Sequence, residues 1–134
     1  MLNPFPELLV YSMLAPFLLR IVVGFIFIDL GILLFKGEKE RWLLSLNTLH
    51  IPNPKLVVKI LGVIEIVGGV ALLLGALTQI AALILALLTF IEIYIEYKNP
   101  EVIKRTFVFY LLVLVITLSL LFSGAGAFAF DLPL

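Results

Sequence analysis

The 134-residue sequence contains no cysteine, a single histidine and a single tryptophan, and only 13% of its residues are charged. Without thiols there is no disulfide framework, no thiol redox centre, no iron–sulfur ligand set and no thiolate zinc site. One histidine, His50, excludes a bis-histidine haem and a histidine-rich metal centre within the chain, so no metal site is expected. Nine basic and nine acidic residues cancel to a net charge of zero, which excludes a nucleic-acid-binding surface. What the chain has in excess is hydrocarbon. Hydrophobic residues make up 63%, against roughly 45–50% in ordinary globular proteins, and the mean hydropathy is +1.27. A soluble fold or a disordered chain is incompatible with that balance. The reading is a single all-α transmembrane domain over residues 1–134, an integral protein of the cell membrane. A standard signal peptide is not expected, because the N-terminus lacks a basic region and Arg20 interrupts the first apolar run.

A bilayer span takes about 20 apolar residues, and four such runs are present: 14–35, 56–77, 79–97 and 105–122. The breaker Pro52-Asn53-Pro54 opens the second, and a tight turn at 75–78 joins it to the third. The stretch between spans one and two mixes leucines and charges around Trp42, which predicts a short interfacial helix with the indole as a headgroup anchor. His50, in a loop beside Pro52, is expected at the interface without a chemical role. The expected fold is therefore a four-transmembrane-helix bundle with one interfacial helix. Eight of the nine Lys and Arg residues fall in the loops 36–55 and 98–105 or at their edges. The positive-inside rule puts those loops in the cytoplasm and both termini outside.

Charges within spans cost about 2.5–3.5 kcal/mol each on insertion scales, so each calls for a partner or a wet cavity. Arg20, Asp29, Glu65 and Glu92 are the four. Glu65 lies about 14 Å into its span, near the midplane, and Glu92 about 9 Å from the inner edge. At about 100° per residue, Arg20, Gly24, Phe27 and Gly31 share one stripe, while Asp29 points the opposite way and marks a candidate subunit interface. In span two, Gly62, Glu65, Gly69, Leu72 and Ala76 form a small-residue lane expected to face the interior. Span three aligns Ala81, Leu85, Leu88 and Glu92, and Tyr110 and Thr117 on span four are placed to hydrogen-bond an interior carboxylate. Glu65, Glu92 and Tyr110 are thus candidates for ligand binding or proton relay. Gly24, Gly31, Gly62, Gly68 and Gly69 are candidates for close helix packing. No catalytic set is visible. The Gly-rich tail after Phe122 is expected to fold back over the outer mouth, with Asp131 or Glu65 neutralising Arg20, and Asp131 the better placed.

These residues resemble the DoxX-like family of small four-span membrane proteins over nearly the whole chain. The resemblance rests on Arg20, Gly24 and Gly31 in span one. It continues with Glu65, Gly68, Gly69, Leu74, Gly75 and Thr78 in and after span two, and with Gly124, Gly126, Ala129 and Asp131 in the tail. The chain departs from the family pattern at Leu34, where a lysine is usual, and at Ala125, Ala127 and Ala129, where Pro, Arg and Ser are usual. The resemblance implies association with quinone-linked oxidoreductase systems. Its expected role is a non-catalytic membrane subunit or anchor that binds a quinone or lipid between its helices, with no covalent cofactor. Partners would then be membrane lipids and oxidoreductase subunits. The alternatives are a small oligomeric transporter or lipid-binding module, which needs at least a homo-oligomer, and a purely structural scaffold.

Overall fold

Proline and glycine set the boundaries of the long helices. The computed structural model describes residues 4–37, 39–98 and 107–130. After an exposed 3-10 turn at Pro6–Tyr11, helix α1 runs Leu14–Phe35 and α2 runs Lys39–Thr48. Asn53, in the left-handed region at φ 51°, precedes α3, Pro54–Leu74, whose first-turn proline gives up an N–H that has no helical acceptor in any case. Gly75, at φ 68°, closes α3: its N–H and that of Ala76 bond back to Leu72 and Ala71. Helix α4, Thr78–Lys98, starts three residues later, and α5 covers Phe107–Ser123. The described residues contain no strand.

Three of these helices, α1, α3 and α4, are long and apolar enough to cross a membrane. Helix α5 is equally apolar and shorter, at 17 residues, or about 25 Å. It lies over the stretch 105–122 where a fourth span is expected; residues 105 and 106 lie outside the described residues. The expected third-span end at 97 and the turn at 75–78 agree with the structure to within a residue or two.

The long helices form a ring in which α1 packs on α3, α3 on α4, α4 on α5, and α5 back on α1. The α1–α3 contact is the most extensive, and glycine is the reason. A Cβ on Gly24 would lie 2.9 Å from the Gly69 carbonyl oxygen, and one on Gly31 would lie 2.8 Å from that of Gly62. Two backbones therefore touch directly at two levels one heptad apart. Hydrocarbon offers no hydrophobic drive for helices to associate, so dispersion at close approach has to supply it. Gly68 does the same on the other side of α3, taking the Leu85 side chain into its notch. The interior is filled by Val23, Phe27, Leu72, Leu85 and Leu120, while Phe25, Val67, Leu87 and Val115 project outward as a lipid-facing surface would.

Helix α2 packs across the ends of α1 and α3, and here the sequence reading needs correction. Trp42 is not a headgroup anchor. It is only 2% exposed and sits with Leu34, Leu46, Val58, Ile95 and Tyr110. Trp42, Ser45 and Leu46 share one face of a 10-residue helix, and that face is turned against the bundle, so the indole plugs its end. His50 is exposed, as expected of a loop residue.

Candidate functional site

Polar side chains are buried in two places. The first is the outer end, built around Arg20. Helical phase puts Arg20 on the stripe with Gly24 and Phe27, and that stripe is buried: Arg20 itself has no exposed surface. Its Nη1 donates to the Ala125 carbonyl at 3.0 Å. Its Nη2 donates to Ala127 at 3.3 Å and Phe128 at 2.9 Å. The guanidinium also lies 5.4 Å from the Phe17 ring centre, and the Phe128 ring meets Phe17 edge-on. The tail does fold back. Its Ala127 N–H donates to Met13 and its Phe130 N–H to Leu74, tying it to both α1 and α3.

This clasp accounts for three glycines. Gly124 and Gly126 both hold positive φ, so the chain can turn its carbonyls inward. At Gly126 a Cβ would also strike the Met13 carbonyl and Pro16. At Gly75 a Cβ would collide with the Arg20 guanidinium and with Ala129. Asp131, the expected counter-ion, lies outside the described residues. Glu65 lies on the far side of the Gly24–Gly69 crossing, about 12 Å from Arg20 along the helix axes.

The second place is the interior toward the α2 end. Glu65 on α3 has no exposed surface, and Glu92 on α4 has 2%. Both carboxylates point inward, as the small-residue lanes predict. Taking the Gly68–Leu85 contact as a common level, Glu65 lies about 4.5 Å, Glu92 about 10 Å and Glu96 about 16 Å toward the basic end. The three acids thus descend in steps of about 6 Å. Thr89 lies between these levels and Thr117 nearer the outer end, each fully buried. Their hydroxyls donate to carbonyls of their own helices, Thr89 to Leu85 and Thr117 to Val113 and Leu114. That occupies the hydroxyl proton and leaves lone pairs as acceptors. Tyr110 is 1% exposed. The bond from Gln79 Nε2 to the Leu121 carbonyl aligns α4 with α5, which places Tyr110 at a level between Thr89 and Glu92.

Glu96 escaped the sequence reading. It stands two residues from Lys98 and reads as a headgroup-level acid, yet it is buried. The available signal was its spacing of four from Glu92, which puts both on the inward face of α4. Asp29 stands apart from both sites, on the exposed surface of α1.

The DoxX family model matches residues 15–97. That range carries Arg20, Asp29, Glu65, Glu92, Glu96 and the glycines of the α1–α3 crossing. No curated protein and no solved structure gave a match. A match over well more than half of the sequence, including Arg20 and the three buried carboxylates, means that the chain belongs to the DoxX family.

Proposed function

We propose that this DoxX-family membrane protein is a four-span, single-domain membrane subunit of a quinone-linked oxidoreductase system, and that Glu65, Glu92 and Glu96 carry protons between its midplane and its basic end. The observation that carries this reading is the full burial of Glu65 and near-full burial of Glu92 within one apolar bundle. Intramembrane carboxylates are expensive, and those kept facing a bundle interior mark ion or proton routes. The reading takes α5 as the fourth span, the basic segments 36–55 and 98–105 as cytoplasmic, and both termini as external.

The residue types suit a quinone headgroup, which needs donors and acceptors set in apolar surroundings. Tyr110 and Glu92, close in depth and bordered by Ile95 and Phe109, are the residues that would hold it, or a lipid headgroup in its place. A bound quinone supplies the exchange of two electrons and two protons. The chain's own part is proton handling: Glu92 accepts or returns a proton at the ring's level, Glu96 passes it toward the basic end, and Glu65 extends the route to the midplane. The Thr89 oxygen, at a level between Glu65 and Glu92, gives a protonated carboxyl an acceptor on the way. Electron transfer is left to partner subunits, since no haem or iron–sulfur ligand set is present in the sequence.

The test is isolation of the full chain with its native partners in lipid nanodiscs, followed by extraction of bound quinone and measurement of quinone-linked proton release. Co-purifying quinone and soluble redox subunits are expected. Glu65→Gln and Glu92→Gln should retain helicity and assembly while slowing proton release about 100-fold. Release at the unaltered rate in both variants refutes the relay.

A further inference from the structure

Asp29 is the exception on the lipid-facing surface. It is exposed, and it lies six residues above the end of α1 at Phe35, about 9 Å into the span. An aspartate has one methylene and cannot reach the headgroups from that depth. Lys59 on α3, also exposed, has a four-carbon stem and can. No hydrogen bond or ion pair to Asp29 is found among the described residues. Around it the exposed face of α1 reads Leu18, Val22, Phe25, Asp29 and Ile32, with successive spacings of four, three, four and three, and exposed Lys36 is the next member of the series. That is an uninterrupted heptad seam. The matching exposed stripe of α3, from Leu56 through Ile60, Val63, Val67 and Val70 to Leu74, has the same spacing and is wholly apolar. Lipid alone satisfies the α3 stripe. It does not satisfy the α1 stripe.

We propose that a second copy of this chain packs along the Leu18–Ile32 seam of α1, with the two Asp29 side chains meeting on a two-fold axis normal to the membrane. Copies inserted with one topology have parallel α1 helices, so like residues meet at one height. A single polar residue in such a seam fixes register and partner number. Charge favours a second copy over a foreign helix. Each chain brings one Asp29 and one Lys36 to the seam, so the pair is neutral as a whole. Lys36, the C-cap residue of α1, stands one heptad or about 10 Å below Asp29, so each seam carries an acid within the span and a base at its end. The Phe25 rings meet one turn above. This inference is independent of what the interior carboxylates do.

The cysteine-free sequence makes the test direct. Phe25→Cys and Ile32→Cys on the seam, with Val63→Cys and Val67→Cys on α3 as controls, are oxidised in native membranes expressing the full chain. Disulfide-linked dimers of twice 14.9 kDa are expected from the seam positions and not from α3. Asp29→Leu, added to Phe25→Cys, should weaken dimerisation about 3- to 30-fold, the range for losing an interhelical polar contact in a membrane. Asp29→Asn, which can both donate and accept, should retain the dimer. Equal crosslinking from α3, monomers only, a crosslink to a different protein, or an unchanged dimer fraction in Asp29→Leu overturns the proposal.

Discussion

Arg20→Ala removes a side chain that donates three hydrogen bonds to the tail over the outer end, and the cost can be worked from the bonds it makes. Three hydrogen bonds leave the guanidinium for carbonyls of a single loop. A bond to a charged group nets about 1.5–3 kcal/mol, but two of these are only partly buried and all three form or break together, so they do not sum. The stack on Phe17 adds about 0.5–1 kcal/mol. Removing one side of a buried charged arrangement costs about 3–5 kcal/mol, which sits within those bounds. Most of that cost should appear as release of the tail. Ala125 is 8% exposed in the docked state, so Ala125→Cys reports release by its maleimide labelling rate in membranes. Each 1.4 kcal/mol is about tenfold, so Arg20→Ala should speed labelling about 100- to 1,000-fold. Arg20→Lys should fall between, because one ammonium cannot reproduce a planar fork that serves three carbonyls. Labelling of Ala125→Cys at the same rate with and without Arg20 would refute the clasp.

Gly31→Ala raises helix propensity by about 0.5–1 kcal/mol, yet its new Cβ would lie 2.5 Å from Ile66 Cγ1 and 2.8 Å from the Gly62 carbonyl oxygen. The overpacking cost of about 1–3 kcal/mol outweighs the gain, so reversible unfolding in detergent, followed by circular dichroism, should show a net loss. Trp42→Ala should cost about 3–5 kcal/mol in the same assay, whereas Leu44→Ala, on the exposed face of α2, should stay within about 0.5 kcal/mol. Equal and small losses for the two would return Trp42 to the membrane surface.

Helical phase and the cost of charge in hydrocarbon made the inner faces legible. Arg20, Gly24, Phe27 and Gly31 are buried together, as are Gly62, Glu65, Gly69 and Leu72, and Ala81, Leu85, Leu88 and Glu92. Asp29, half a turn from Arg20 in phase, is exposed. Each assignment follows from a period of 3.6 applied to residues too small or too polar to face lipid. Three features did not follow. Trp42 on a short amphiphilic helix satisfies the composition of an interfacial anchor and of an end plug equally well, and only the tertiary placement of α2 decides. Glu96 sits where a headgroup acid would sit, and burial there depends on α4 extending past it. Arg20 also donates to three carbonyl groups of the tail, while Asp131 lies outside the described residues; an acidic partner can be read from residue identity. Carbonyl groups cannot: every residue has one, and what aims three of them inward is backbone conformation.

That last point ties together residues that are far apart in the sequence. Ala125 and Ala127 serve Arg20 through their carbonyl oxygens, so these contacts do not depend on which side chain either position carries. The glycines are not replaceable in that way. Gly124 and Gly126 supply left-handed turns, and Gly75 supplies both a left-handed helix cap and the vacant volume into which the guanidinium and Ala129 pack. An alanine at Gly75 therefore meets two penalties, a strained φ and a collision with the arginine, whereas one at Gly124 meets only the first, since nothing lies within 4 Å of its Cβ position. The arginine of the first helix, the glycine ending the third and the glycines of the tail form one structural unit. Three of its hydrogen bonds end on main-chain carbonyls, so they do not depend on which side chains stand at 125, 127 and 128.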